Sequence, residues 1–278
     1  MQLAARFASR SPAVRSNSAL TDEQIFKVAP SIFAEDKHES RSERYTYIPT
    51  IEVLRGLRSE GFEPYMAMQT RVRDESMREH TKHLVRLRHV NHVVAVGQEV
   101  NEIILVNSHN GTSSYQMLAG VFRFICSNGM VSGDTFADIR IPHKGDVISE
   151  VIEGAHRIVE SFEVVDEQRE GMKALTLSSG EQTAFARAAL ALRYDTAEGP
   201  APITEEQVNM ARRWEDRGSD LWTTFNRAQE NLTKGGLRGR NSAGRTTTTR
   251  AVTGIAQNIS VNRGLWVLAE EMRKLRAA

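Results

Sequence analysis

The chain carries a single cysteine, Cys126, in 278 residues. That excludes an intramolecular disulfide framework and fits a reducing cytoplasm. No apolar run approaches the roughly 20 residues needed to cross a bilayer, so no membrane association is expected. Net charge is only +1, which leaves any polyanion to be held by local patches and not by the field of the whole molecule. There is no internal repeat. The one glycine-rich segment lacks both the spacing and the preceding strand of a nucleotide-binding P-loop. What is present is ordinary for a globular protein: 40% hydrophobic and 26% charged residues, in a length that suits one large domain or two smaller ones.

No acid precedes Asp22, whereas Arg6, Arg10 and Arg15 do, so residues 1–20 are expected to form a flexible basic arm. Thr21 with Gln24 makes a capping box for a short helix ending near Pro30. A second helix is expected after Pro49, with Ile51, Val53, Leu54 and Leu57 inward and Gly61 as its stop. Residues 64–90 then change period. Met66, Met68, Thr70 and Val72 alternate with Ala67, Gln69, Arg71 and Arg73, and a second strand is expected from about Lys82 to Val90. The apolar run Ile103-Ile104-Leu105-Val106 reads as a third strand covered on both sides. After it, Ser113 with Gln116 reads as another capping box, and Leu118, Val121, Phe122 and Ile125 as the stripe of a helix closed at Gly129. Residues 137–141 suggest an edge strand.

Beyond Asp146 the pattern is helical. Val147, Val151 and Ile158 fall on one stripe, and Ser179 with Gln182 and Thr204 with Gln207 read as capping boxes. A helix with Leu221, Trp222, Phe225 and Leu232 breaks at Gly235-Gly236, and a last helix is expected from near Asn262. The expected class is α+β: a small antiparallel sheet with packed helices in the N-terminal half and a mostly helical C-terminal half. The expected boundaries are an arm at 1–20, a sheet domain at 21–145 and a helical region at 146–278.

Charge concentrates in two places. From Arg71 to Arg88 there are six basic residues against three acids. Arg71, Arg73, Lys82, Arg86 and Arg88 are expected to share the sheet face away from the core, where cations spaced over a flat surface suit a sugar-phosphate backbone. The alternative is a solvated face paired with neighbouring acids. The second patch, KGGLRGRNSAGRTTTTR from Lys234 to Arg250, holds five cations, four glycines, four threonines and no acid. Lys234, Arg238, Arg240, Arg245 and Arg250 could clamp phosphates there, with glycine N–H groups and threonine hydroxyls as further donors; a plain surface loop is the competing reading. Residues 146–170, with eight acids against two bases, would repel nucleic acid and confine binding to one side.

Eight histidines raise the question of a metal. His80 and His83 would point to opposite faces of a strand. His109 and His143 could converge on His83, together with Asn107 or Asp134, but no tight ligand motif supports a metal or any other cofactor. Cys126, at the expected C-terminus of a helix, is poorly placed as a thiolate nucleophile. Adjacent Ser108 and His109 diverge on an extended chain and make no dyad. Trp222 and Trp266 read as core; Tyr45, Tyr47 and Phe62 are candidates for stacking on bases, with packing the competing role.

The phrases YIPTIEVLRGLRSEGFEPYMAMQTRVRD, KHLVRLRH, EIILVNSHNGTSSYQMLAGVFRFICSNGMVSGD and RAVTGIAQNISVNRGLWVLAEEM resemble a bacterial family carried by plasmids and phages. It is catalogued as a domain of unknown function and includes YubP- and YafZ-like proteins. The resemblance runs from about Thr21 to Leu275. It implies a bacterial cytoplasmic protein of a mobile element, and it brings no activity with it. Where that family's turn usually has Asp, this chain has Asn110, which weakens an enzymatic reading built on that turn.

A meander followed by a helix is also the layout of single-strand annealing proteins, a likeness at fold level alone. We therefore expect a protein that binds nucleic acid, single-stranded DNA above all, in recombination, replication or transfer. The rivals are a metal-dependent hydrolase or nuclease centred on His83, His109 and His143, and a protein that binds a host factor. A homo-oligomer is compatible with each.

Overall fold

A computed structural model of the chain describes residues 13–34, 48–71, 75–92, 99–109, 114–124, 128–131, 138–195 and 199–277. It divides into two compact units, one comprising residues 1–129 and 135–162, the other residues 130–134 and 163–278. None of the helices among the described residues is long and apolar enough to cross a membrane.

The first unit is a seven-stranded antiparallel sheet with helices on one face. Strands β1 (Ala13–Arg15), β2 (Phe62–Gln69), β3 (His83–His89), β4 (Glu99–Asn107) and β5 (Tyr115–Arg123) lie side by side in that order. Strands β6 (Asn128–Val131) and β7 (Asp138–Ile141) both adjoin β5. Helix α1 (Asp22–Val28) is headed by the expected box: the Gln24 N–H donates to the Thr21 hydroxyl at 3.3 Å and the Thr21 N–H to the Gln24 side chain at 3.0 Å. Helix α2 (Thr50–Ser59) buries Ile51, Val53, Leu54 and Leu57. The chain turns out of α2 at Gly61, whose φ of 85° belongs to the left-handed region that glycine enters without strain.

Three expectations change here. Residues 13–15 are not part of a free arm: they pair with Met66, Ala67 and Met68 as an edge strand, and Leu20 is buried. The helix expected over residues 113–127 is strand β5, paired with β4 from Glu99↔Arg123 to Val106↔Gln116. Leu118, Val121 and Phe122 do lie three and four apart, but a short apolar run satisfies a helical and a doubly buried strand template alike. Gly120, together with the β-branched and aromatic content, tips the balance to the strand. Gln116 caps nothing; its amide donates to Asp138 on β7 at 2.9 Å. Third, the unit ends at Phe162, not at residue 145. Helix α3 (Val147–Glu160) packs on the sheet so closely that a Cβ on Gly154 would collide with the Met117 side chain.

Both faces of β3, β4 and β5 are buried. On the face away from α2 and α3, the cross-strand register sets Met66 beside Arg86 and Arg86 beside Ile104. Arg86 and Arg88 lie there only 4% and 5% exposed, against a Glu102 that is 1% exposed. The Glu102 carboxylate accepts from Arg86 Nη1 at 3.0 Å and from Arg88 Nε and Nη2 at 2.9 and 2.7 Å. The Arg88 guanidinium also stacks 4.2 Å from the Tyr65 ring centroid. The open basic face expected from Arg71 to Arg88 is therefore not formed by these two arginines. They and Glu102 compose a buried ion triad, because the strand that supplies the acid neighbours the one that supplies the bases.

The second unit surrounds one helix, α7 (Leu221–Lys234), whose residues are buried from Leu221 to Thr233. Around it stand α4 (Phe162–Ala174), α5 (Ser179–Ala191), the single turn α6 (Glu205–Val208) and the long α8 (Ile255–Ala277). The cap of α5 is Ser178 with Glu181, one residue before the expected pair, and that of α6 is Thr204 with Gln207 as expected. Helix α8 begins seven residues before the expected Asn262. Trp222 stacks on Phe225 at 5.4 Å, Trp266 meets both edge-on, and the Trp266 indole N–H donates to Gln168 at 2.9 Å. Trp222 and Trp266 are core residues, as expected.

Removing one member of the Arg86–Glu102–Arg88 triad leaves buried charge uncompensated, which costs about 3–5 kcal/mol. Glu102→Gln is expected to lower unfolding free energy by that amount in a denaturant titration. The triple change Arg86→Met, Glu102→Leu, Arg88→Met, which removes all the charge together, should recover most of the loss.

Candidate functional site

His83, His109 and His143, whose convergence the sequence left open, do come together, and their centre is a residue the sequence did not single out, Thr50. The register builds it. Gln69 on β2 faces His83 on β3, His83 faces Asn107 on β4, and Tyr115 on β5 faces Ile141 on β7. With Val106 opposite Gln116, one polar row crosses four strands at one end of the sheet. Thr50, the first residue of α2, stands over that row. Its hydroxyl has His83 Nε2 at 2.9 Å, Asn107 Nδ2 at 3.0 Å, His109 Nε2 at 3.1 Å and the Tyr115 hydroxyl at 3.3 Å. His143 joins through Nε2 to Asn107 Oδ1 at 3.0 Å.

The proton positions follow from what each partner can do. The Thr81 carbonyl, 3.2 Å from His83 Nδ1, can only accept, so a neutral His83 carries its proton on Nδ1, with the Ser31 hydroxyl also in reach at 3.0 Å. Its Nε2 is then an acceptor and takes the one proton of the Thr50 hydroxyl. The two lone pairs of Thr50 receive Asn107 and His109, while Tyr115 donates to the Ile48 carbonyl at 3.1 Å. Burial pushes the His83 pKa down to about 3 and that of His109 down to about 2, the latter helped by repulsion from His83, His143 and His80. His80 ends a 3-10 turn (Glu75–His80) before β3 begins. It therefore approaches His109 where an extended strand would have sent it away from His83.

A hydroxyl that donates to a neutral, oriented imidazole is the pairing by which a general base activates a nucleophile. Here Thr50, Asn107 and His109 have no exposed surface and His83 has 1%, so the network also cross-links α2 to three strands. Both oriented Nε2 atoms turn on Thr50. No group of three or more His, Cys, Asp or Glu side chains among the described residues could hold a metal ion. Ser108 is buried beside His109. Arg73, Tyr45, Tyr47, Asn110, Ser113, Cys126 and Asp134 lie outside the described residues. Phe62 is buried against His89 and His156, in the packing role. Arg71 is exposed and Lys82 half-buried.

The Gly/Arg segment is a β-hairpin and not an irregular loop. Strand β8 (Arg238–Arg240) pairs with β9 (Thr246–Thr248) in the register Arg238↔Thr248, Gly239↔Thr247 and Arg240↔Thr246. The turn at Asn241 closes through its side chain, which accepts from the Ala243 and Arg245 N–H groups, and Gly244 supplies a φ of 73°. On one face Gly239 lies so near the Pro202 carbonyl that any Cβ would collide with it. The other face presents Arg238, Arg240, Thr246 and Thr248, all exposed. Arg245 and Arg250 are exposed as well, and Lys234 is held by Glu230 at 2.8 Å. Arg240 donates to the Gly244 carbonyl at 3.0 Å, and Arg238, Arg240, Arg245 and Arg250 form no ion pair with a described residue. Elsewhere arginines of this unit are engaged, Arg187 with Glu205, Arg213 with Glu230 and Arg273 with Glu270.

The model of a domain of unknown function (DUF932) matches residues 37–266. This chain belongs to that family. Two relatives from Escherichia coli (strain K12), the UPF0380 proteins YfjQ and YafZ, are each 54% identical to it over 271 residues, which is 98% of this chain and 97% of theirs. No solved structure matches. The DUF932 match takes in Thr50, the three converging histidines, the buried ion triad and the whole hairpin, so both candidate sites lie in the part that defines the family.

Thr50→Val keeps the shape of this DUF932 network and removes its hub. It should cost about 1–3 kcal/mol for each polar group left unpaired, with Thr50→Ser retaining most of the stability. His83 and His109 also set a pH dependence. They stay neutral in the folded state but protonate near pH 6.5 once unfolded. Their contribution is therefore unchanged above that pH and turns against folding as pH falls from 6.5 toward 3. Each adds a slope approaching 1.4 kcal/mol per pH unit. Unfolding titrations at pH 7 and 5 should show the loss, and His83→Gln should reduce it.

Proposed function

We propose that this protein binds nucleic acid, single-stranded DNA foremost, through the exposed face of the β8–β9 hairpin. One observation carries the reading: Arg238 and Arg240 project from the same face of a two-stranded ribbon, beside Thr246 and Thr248, and no acid occurs from Asn231 to Ala269 to neutralise them. A narrow ribbon of guanidiniums and hydroxyls offers a phosphate chain repeated bidentate and single contacts. Arg245 at the turn and Arg250 after β9 extend the positive track at both ends. Arg86 and Arg88 take no part, since Glu102 holds them inside the sheet. The family resemblance adds only a setting, a bacterial cytoplasmic protein of a plasmid or phage; the role proposed for it there, in recombination, replication or transfer, follows from the binding reading.

A second reading rests on the convergence of His83, His109 and His143. A hydrolase or nuclease centred there would use Thr50 and His83 as hydroxyl and base. It stands behind the first because the Nε2 atoms of all three imidazoles are engaged with Thr50 or Asn107 inside the fold. Cation-dependent cleavage of nucleic acid that disappears in His83→Ala would establish it; no cleavage with magnesium, manganese or zinc would remove it.

The binding reading is tested by titrating the protein against oligothymidylate over a range of salt. Affinity should fall steeply as salt rises. Arg238→Ala with Arg240→Ala should reduce the log–log slope by about 1.4, at about 0.7 for each phosphate contact on a single strand. Absence of binding at low salt overturns the proposal.

A further inference from the structure

Trp214 is the exposed aromatic among the described residues of the second unit that neither the core nor the hairpin accounts for. It is 74% exposed, while the other two tryptophans are 3% and 0% exposed. A single exposed apolar side chain is ordinary on a protein surface; what distinguishes Trp214 is how firmly its backbone is held and what lies beside it. Trp214 does not hang from a loose loop. It opens a 3-10 turn (Trp214–Asp216) whose Asp216 is 1% exposed and whose Asp216 carbonyl accepts from Arg227 of α7 at 3.0 Å. On its other side Arg213 donates to Glu230 at 2.6 Å, and Arg212 donates to Asn231 at 2.5 Å and to the Gly235 carbonyl at 2.7 Å. The backbone that presents the indole is thus tied to α7 by three arginines.

Those ties also place the ring. Glu230 is shared by Arg213 and Lys234. Gly235, gripped by Arg212, is the point where the chain leaves α7 for the hairpin, and Arg238 follows three residues later. Gln207, a few residues before Trp214, donates to the Arg238 carbonyl at 2.8 Å. The tryptophan turn is therefore tied along the second half of α7, from Arg227 to Gly235, and the arginine ribbon departs where those ties end. Arg217 lies over the indole with its guanidinium 4.5 Å from the ring centroid. That covers one face of the ring with positive charge; at 74% exposure the other face is open.

We propose that Trp214 is a stacking platform for a base of a single-stranded nucleic acid whose phosphates are held by Arg238 and Arg240. This rests on the hairpin reading above and narrows its ligand. A duplex keeps its bases stacked on each other, so an open indole beside a phosphate track selects an unpaired strand. Arg217 behind the ring holds it in place and adds a cation near the backbone. Every base has a π face, so the contact is tolerant of sequence.

The test compares the full-length protein with Trp214→Ala, Trp214→Phe and the Arg238→Ala/Arg240→Ala pair, on oligothymidylate and on an abasic oligomer of equal length. Stacking predicts that Trp214→Ala weakens oligothymidylate binding about 5- to 150-fold, leaves the salt slope unchanged and leaves abasic binding unchanged, with Trp214→Phe in between. The emission of the exposed tryptophan should also be quenched by oligothymidylate and not by the abasic oligomer. If Trp214→Ala binds oligothymidylate as well as the parent while the arginine pair does not, stacking is overturned, the hairpin reading survives, and Trp214 is left as a contact for a protein. Equal losses on both oligomers likewise overturn stacking. If the parent binds neither oligomer at low salt, the hairpin reading itself has failed.

Discussion

Strands β3, β4 and β5 are buried on both faces along most of their length, and each polar side chain buried there must find its partner inside the protein. Apolar residues meet that condition by packing, and Val85, Leu87, Ile103, Ile104, Leu105 and Met117 do so. Arg86, Arg88, Glu102, His83, Asn107 and Tyr115 cannot. Their positions are set by the pairing of the strands, so each polar group has to be matched by another at a neighbouring register position or from a helix laid across the sheet. The ion triad is the match on one face, and the hydroxyl of Thr50 is the match on the other. In the second unit α7 is under the same constraint. Its Arg227 is satisfied by the carbonyls of Asp216 and Gly218, and its Asn231 by those of Val208 and Met210.

The hairpin obeys the opposite rule. One face of it is pressed on Pro202 through a glycine, and the other is left to solvent. Its arginines are exposed and form no ion pair with a described residue, the Arg240 side chain donating to the Gly244 carbonyl, and so their charge stays available to an incoming anion. The same residue type thus has two roles in one chain. Arg88 is structural because an acid lies across from it in a buried place, and Arg238 is available because it is exposed and forms no ion pair with a described residue. Burial and cross-strand company decide this, and neither is visible in a count of charges.

That contrast explains what could be read in advance. Capping boxes at Thr21 and Thr204, the stop at Gly61, the break at Gly235 and the class of the fold were legible because they rest on local chemistry. The His83, His109 and His143 convergence was legible as a possibility from where strands and turns were expected to end. What failed depends on partners distant in sequence. Arg86 and Arg88 looked exposed because Glu102 sits on another strand. The segment over β5 looked helical because a short apolar run fits two periods, and only its place in the middle of a sheet selects one. Thr50 drew no notice because a lone threonine at the start of a helix has no signature; its importance comes from three residues at 83, 107 and 109. Trp214 was overlooked for the reverse reason, since aromatic residues are expected inside.

The polar row across the sheet has one more consequence. Side chains alternate between the two faces of a strand, so sliding β3 or β4 by a single residue would carry His83 or Asn107 away from Thr50 and bring Leu84 or Val106 into its place. Strands as uniformly apolar as Ile103–Val106 offer little to distinguish one alignment from the next. Thr50 and its neighbours act as a vernier on the sheet: they join only when β3, β4 and β5 are in step, so a largely buried network doubles as the proofreader of the fold.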